Sequence, residues 1–437
     1  MNCIILHQIY KYEFQDGKEN EVIDTDNTDS KIIRVLIRDK ETNEYLHKDI
    51  TLYCHEKYIV ESADKKREMQ KEKKVNCKDF GIKEGEHVEI YPKEKQNDIY
   101  MEGYLGYRGK LMIEKEENGY YMINELPLEE YLYDVIPSEM PSNYPMEALK
   151  AQAVCARTYA LHAIRSKRMK EHNADLDDST AFQVYNQIEG NERTKKAVDD
   201  TRGIIMMEEN NPADIQYYAT SCGMGDYGVI SLKNEKRVLS AEQKFHKFIN
   251  KRFEEDLECN EPWYRWQYSV GVINEKEFIS RIREQYRRNP NSFLSLPQGN
   301  ELLLDKEFGA IKNIVVQSRE KNGRVKELYV EGSNYAVVIC DEYNIRYILS
   351  NGKSKVIRQD GTECENTYLL PSAFFELTLK VDKDNRVGYA INGGGYGHGR
   401  GMSQNAAKYM AEKNKNYKDI IGFFYPNIEL KNIKECQ

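Results

Sequence analysis

Six alanines fall between Ala148 and Ala163, within PMEALKAQAVCARTYALHAIRS, and no other stretch limits the possible folds as strongly. Met146, Leu149, Ala153, Ala156, Ala160 and Ile164 recur at three- and four-residue spacing, which predicts a helix with one apolar stripe. Such small side chains let a neighbouring backbone approach closely, so burial on more than one side is expected. Ser142 or Asn143 is placed to cap this helix, and Pro145 suits its first turn. Arg157 stands mid-helix, where a charge calls for a partner. Lys150 lies two turns earlier on the same face.

Around this helix the pattern changes repeatedly. KIIRVLIRD and DITLYCHEKYIV read as strands over residues 31–60. The charge run from Ala63 to Lys74 reads as a solvated loop or exposed helix face. Asn118-Gly119 marks a hairpin between LMIEK and YYMIN, and Asn322-Gly323 marks another. Asn274 with Glu277 opens a helix, DEYNIRYIL another, and Ser403 caps a further one after a glycine-rich run. FFELTLKV reads as a strand, and NYKDIIGFFYPN is a closing helix that stops at Pro426. Strand and helix blocks without strict alternation predict an α+β fold: strand-rich segments packed around the Ala-rich helix, with a C-terminal Gly-rich loop and helix. Four regions are expected. They are a strand-rich 1–98, a core 99–231 that holds the Ala-rich helix, a charged and partly helical peripheral 232–310, and a 311–437 segment that completes the core.

Composition removes several classes. A net charge of −8 argues against a general nucleic-acid binder. The nine cysteines are widely spaced and none forms a Cys-x-x-Cys pair, which predicts free thiols rather than a metal knuckle or disulfide framework. No apolar run approaches the ~20 residues of a membrane span, and MNCIILHQIYKYEF lacks a basic leader region. The 32 tyrosines suit either sugar stacking or wet-edged cores.

Four places carry candidate chemistry. Glu139 sits in IPSEMP, among Ile136, Pro137, Met140 and Pro141; stiff, apolar surroundings raise a carboxyl pKa towards that of a general acid. Its bland alternative is a surface glutamate beside a helix start. Arg157, with Lys150, meets either a structural carboxylate or a substrate. The run Gly393 to Gly401, with Tyr396 and His398, lets a backbone approach a ligand but lacks the GxGxxG spacing of a nucleotide loop. YYATSCG, from Tyr217 to Gly223, holds Cys222, for which a nucleophile with His398 as base competes with a packed thiol.

Together these segments resemble one family. LPLEEYLYDVIPSEMPSNYPMEALKAQAVCARTYAL resembles the signature of the stage II sporulation protein D family, also found in amidase enhancers. DDSTAFQVYN, from Asp177, is similar to its middle motif, and YYATSCG to the block that follows. GGGYGHGRGMSQNAAKYMA with NYKDIIGFFYPN resembles its C-terminal Gly-His-Gly block and closing helix. The likeness runs from about residue 31 to residue 427, with the motifs in order.

The resemblance implies a lytic transglycosylase acting on peptidoglycan glycan strands, working beside a peptidoglycan amidase in engulfment during sporulation. Its catalytic acid matches Glu139 and its helix arginine matches Arg157. Lys150, Tyr218, Ser221, Tyr396, His398 and Gln404 are the other substrate-lining candidates. The competing reading is a non-catalytic wall-binding module that stimulates an amidase. Some members hold zinc before the QVY motif; here Asp177 and Phe182 stand where cysteines are expected, so no metal or other cofactor is predicted and His172 is read as a surface residue. The family's extracytoplasmic setting is expected, although no export signal or anchor is visible in the sequence.

Overall fold

A computed structural model describes residues 31–179, 182–185, 191–233, 235–296, 306–365 and 367–435. Cys3, Cys436, the N-terminal apolar run and Asn186 of the QVY motif lie outside them. The fold is mixed α+β, with eight helices and several sheets among the described residues. The chain divides into two compact units, Met1–Gln216 with Lys415–Gln437, and Tyr217–Asn414. The boundary therefore falls inside the expected 99–231 region, and the closing helix belongs with the first unit.

The first unit is built on a seven-stranded sheet in the order Leu176–Asp177, Ile32–Ile37, Gly119–Pro127, Lys110–Glu116, His87–Pro92, Tyr58–Ser62, Lys65–Met69. All neighbours are antiparallel except the first pair. The charge run at 63–74 is loop at both ends, as one expectation had it, but holds a strand rather than a helix at its centre. Lys65–Met69 pairs with Tyr58–Ser62 as an exposed edge strand, where lysines and arginines deter further pairing. The Asn118-Gly119 hairpin forms, but its turn is Glu117-Asn118 and Gly119 already pairs with Glu116. Gly119 is needed for close approach: a Cβ there would meet the His47 carbonyl oxygen at 2.7 Å.

Helix α1 (Leu128–Glu139) packs against this sheet, and α2 (Met146–Ser166) and α3 (Glu192–Asp200) pack against α1 and each other. The six alanines lie on α2, and each is buried. Neither Ser142 nor Asn143 caps this helix; Pro145 occupies the N-cap and no side chain bonds there. Glu139 does not precede α2 in a loop. It is the last residue of α1, which runs through Pro137 and stops before Pro141. A small sheet of Asn211–Pro212, Ile204–Glu208 and Glu429–Asn432 completes the unit with the helix Tyr417–Phe424, whose Asn416 and Asp419 form a capping box.

The second unit holds a five-stranded sheet (Glu363–Cys364, Val356–Arg358, Trp266–Val270, Val387–Gly393, Phe375–Val381) and a four-stranded one (Phe293–Leu296, Ala336–Ile339, Val325–Gly332, Ile311–Arg319). Asn322-Gly323 lies in the Ile311–Arg319 and Val325–Gly332 hairpin, and Gly323 has φ +94°, the left-handed region its turn requires. Asn274 caps Glu275–Arg288 by accepting from the Glu277 N–H. Ser403 caps Gln404–Glu412, and Tyr217–Tyr218 pairs in parallel with Met402–Ser403. The stretch 233–262 is not simply peripheral. It contributes one helix, Glu242–Ile249, and sends Asp256, Glu258 and Cys259 into the interior.

Candidate functional site

The candidate residues fall in both units. Glu139, Lys150 and Arg157 lie in the first; Tyr218, Ser221, Tyr396, His398 and Gln404 lie in the second.

Glu139 is 8% exposed at the C-terminal end of α1. The negative end of the helix dipole disfavours a carboxylate there. Val184 supplies a compensating donor: its backbone N–H gives a 2.7 Å hydrogen bond to Glu139 Oε1. Val184 sits on the irregular segment 182–185, so other contacts must fix that segment. Gln183 is fully buried; it accepts from the Tyr131 hydroxyl at 3.2 Å and donates to the Ala156 carbonyl of α2 at 3.3 Å. Tyr185 donates to Asn124 Oδ1 at 2.7 Å, and its ring centroid lies 5.2 Å from that of Tyr131. Asn124 in turn donates to the Arg108 and Lys110 carbonyls. Glu139 also acts electrostatically on Tyr131 and Tyr159, whose phenols burial already holds well above their ordinary pKa, so both stay neutral.

Arg157 does not join Glu139. Its guanidinium is fully buried and grips Glu129 at two points, Nε to Oε1 and Nη2 to Oε2, both at 2.8 Å. It also donates to the Ile204 and Val198 carbonyls. These bonds tie α1, α2, α3 and the strand Ile204–Glu208 together, so of the two expected partners, a structural carboxylate or a substrate, the guanidinium holds the carboxylate. Lys150 is likewise engaged, 3.2 Å from both Glu147 and Asp200, linking α2 to α3.

In the second unit the glycine-rich run serves packing. A Cβ on Gly397 would meet Tyr218 Cβ at 2.7 Å, and one on Gly399 would meet the Phe374 ring at 2.3 Å. Both glycines have positive φ. His398 is buried inside the loop. Its Nδ1 accepts from the Arg400 N–H at 3.2 Å, which leaves Nε2 to donate to the Tyr217 carbonyl at 3.0 Å. Burial, reinforced by Arg346, Arg324 and Arg400, lowers its pKa to about 3. A neutral ring with both nitrogens used is no general base at neutral pH. Cys222 is fully buried and its thiol is pushed up to about 12 by burial, which argues against the nucleophile reading.

Tyr218 packs its ring 5.7 Å from His398, and Tyr396 packs 4.6 Å from Trp263. Gln404 opens its helix and is 6% exposed. Ser221 leads to a residue that sequence reasoning passes over. Its N–H and hydroxyl both bond the Glu258 carboxyl, and Ser403 Oγ donates to the same group at 2.7 Å. Glu258 is fully buried, and desolvation pushes its pKa up to about 8. It joins the YYATSCG and GMSQ motifs within one unit. The available signal is an acid set among Leu257, Cys259 and Trp263 in an otherwise charged stretch. Among the described residues, no group of three or more His, Cys, Asp or Glu side chains is arranged to hold a metal ion. His172 packs against the Tyr45 and Tyr121 rings rather than standing clear in solvent. No helix among the described residues is long and apolar enough to cross a membrane.

Comparison with known proteins places these units in context. The family model described as Stage II sporulation protein matches residues 116–207, the span holding Glu139, Lys150, Arg157 and Gln183. A domain of unknown function matches residues 211–401. The chain is 27% identical to the amidase enhancer of Bacillus subtilis (strain 168) over 68% of its own length, and spans 40% of that protein. It is 27% identical to an uncharacterized protein of Brachyspira hyodysenteriae (strain ATCC 49526 / WA1), with 86% of each chain covered. It is 24% identical to stage II sporulation protein D of Bacillus subtilis (strain 168), over 70% of this chain and 75% of that one.

Proposed function

Because the chain belongs to the stage II sporulation protein D and amidase enhancer family, we propose that it remodels peptidoglycan as a lytic transglycosylase with Glu139 as its acid. The observation that carries this reading is the sheltered Glu139 carboxyl, oriented by the Val184 N–H within the region matched by the family model.

The chemistry follows from one carboxyl used twice. Protonated Glu139 donates to the oxygen that joins the N-acetylmuramic acid C1 to N-acetylglucosamine. The C1–O bond breaks, the proton leaves with the glucosamine hydroxyl, and positive charge develops on the muramyl ring. The C6 hydroxyl of that ring attacks C1, and the ionised carboxylate takes its proton. The product is a 1,6-anhydro ring, and Glu139 is protonated again. Hydrolytic glycosidases use two carboxylates to manage a water. Here the nucleophile belongs to the substrate, so proximity replaces the second group. Arg157 and Glu129 act only by holding α1 and α2.

Denuded glycan strands digested in 18O-labelled water test this reading. Anhydro ends without incorporated label support it. Reducing ends carrying the label indicate hydrolysis and reject it. The amidase-enhancer likeness favours a second reading, a wall-binding module that stimulates a peptidoglycan amidase. That reading predicts amidase stimulation, undiminished by Glu139→Gln, and no new glycan ends.

A further inference from the structure

A carboxyl held by a backbone N–H is only as well placed as the backbone that carries the donor. Val184 lies in neither helix nor strand. Its neighbour Gln183 ties the segment to two helices at once, through the Tyr131 hydroxyl of α1 and the Ala156 carbonyl of α2. Tyr131 is on the same helix as Glu139, about two turns earlier. The bonds thus close a ring: Glu139 to Val184, Val184 along the chain to Gln183, Gln183 to Tyr131, and Tyr131 along α1 back to Glu139. The members of this ring are buried, so water does not readily replace a lost bond.

We infer that Tyr131 and Gln183 are positioning residues for the reaction: they hold the Val184 N–H against Glu139 and thereby set where the acid points. This rests on the transglycosylase reading for its kinetic consequence, and on geometry alone for its structural one. Neither residue touches the reacting atoms. Tyr131→Phe keeps the ring and removes only the hydroxyl. Gln183→Met keeps the volume and removes the side-chain bonds to Tyr131 and Ala156.

The test uses the full chain, with wild type, Tyr131→Phe, Gln183→Met, the double variant and Glu139→Gln. Anhydro-end formation is followed against glycan concentration and pH, and deuterium uptake is followed in the peptide spanning 182–185. Tyr131→Phe is expected to lower kcat about tenfold, as one buried hydrogen bond warrants, and Gln183→Met, which loses two, by at least as much, each with KM within about twofold. The double variant is expected to lose no more than Gln183→Met alone, because the two residues share one bond. The acid limb of the pH profile shifts in both variants, and the 182–185 peptide exchanges faster. Variants that fold normally with wild-type exchange and wild-type kcat overturn the inference. Loss of activity that matches only a smaller folded fraction, without faster exchange in 182–185, overturns it too. If wild type makes no anhydro ends, the transglycosylase reading fails separately, and the exchange measurement still decides the structural claim.

Discussion

Arg157 and Glu129 form a two-point ion pair at the junction of α1, α2 and α3, with both nitrogen–oxygen distances at 2.8 Å. Neither side chain is more than 2% exposed. The two charges compensate each other, and the Gly203 N–H and the Ile204 and Val198 carbonyls use further bonding capacity. Such a pair fixes a geometry more than it adds stability, but removing one half leaves a buried charge alone.

Arg157→Met is therefore expected to destabilise the first unit by about 3–5 kcal/mol. Urea unfolding measures this. Arg157→Lys is expected to lose the fork geometry and to fall between wild type and Arg157→Met. In the fraction that remains folded, KM for glycan is expected to stay at the wild-type value. A large KM change with unaltered stability contradicts the structural role.

Glu258 gives a pH signature. Its pKa is raised to about 8 from an ordinary 4.5, so the folded state prefers the protonated form. The stability this contributes is complete below the ordinary value and is lost as pH rises towards 8. Each tenfold difference in proton affinity between the folded and unfolded chain corresponds to about 1.4 kcal/mol. Glu258→Gln mimics the neutral acid: Oε1 accepts from the Ser221 N–H and Ser403 Oγ, while Nε2 faces Ser221 Oγ. The variant is expected to show a smaller fall in Tm between pH 5 and 8 than wild type. An unchanged slope contradicts the assignment.

His398 has the opposite dependence. Its pKa is lowered to about 3 from an ordinary 6.5, so folding favours the neutral ring. Its contribution is present above 6.5 and is lost as pH falls towards 3. A His398→Gln variant is expected to retain donor and acceptor and to flatten the acid side of the Tm profile. Equal acid sensitivity in variant and wild type contradicts this.

Cys222 is expected to resist iodoacetamide at pH 8 in the native protein and to react once the chain is unfolded, because its thiol is buried and pushed up to about 12. Mass spectrometry of the modified peptides distinguishes the two states. Rapid native labelling with loss of activity revives a cysteine mechanism.

What is legible in the sequence is local. Asn274, Ser403 and the Asn322-Gly323 turn announce themselves because a cap or turn needs only neighbouring atoms. The Asn118-Gly119 reading places its turn one residue late, since Gly119 answers to the distant His47 carbonyl rather than to the turn. Lys65–Met69 reads as loop or exposed helix face because nothing in its charges reveals an edge strand's partner. Arg157 reads as partnered by either a carboxylate or a substrate, because Glu129 lies 28 residues away and Glu130 is an equally plausible partner in the sequence. Glu258 escapes notice for the same reason, its serines lying 37 and 145 residues distant. Glu139 stands out by its apolar, proline-flanked setting, while the Val184 N–H that holds it is a backbone group that no residue letter encodes.

The most direct measurement compares anhydro-muramyl end formation by wild type and Glu139→Gln on denuded glycan strands, with both proteins shown to be equally folded. If Glu139 is the acid, ends accumulate steadily with wild type and fall by about a hundredfold or more with the variant, the scale of a missing general acid. Equal rates from the two proteins contradict that role.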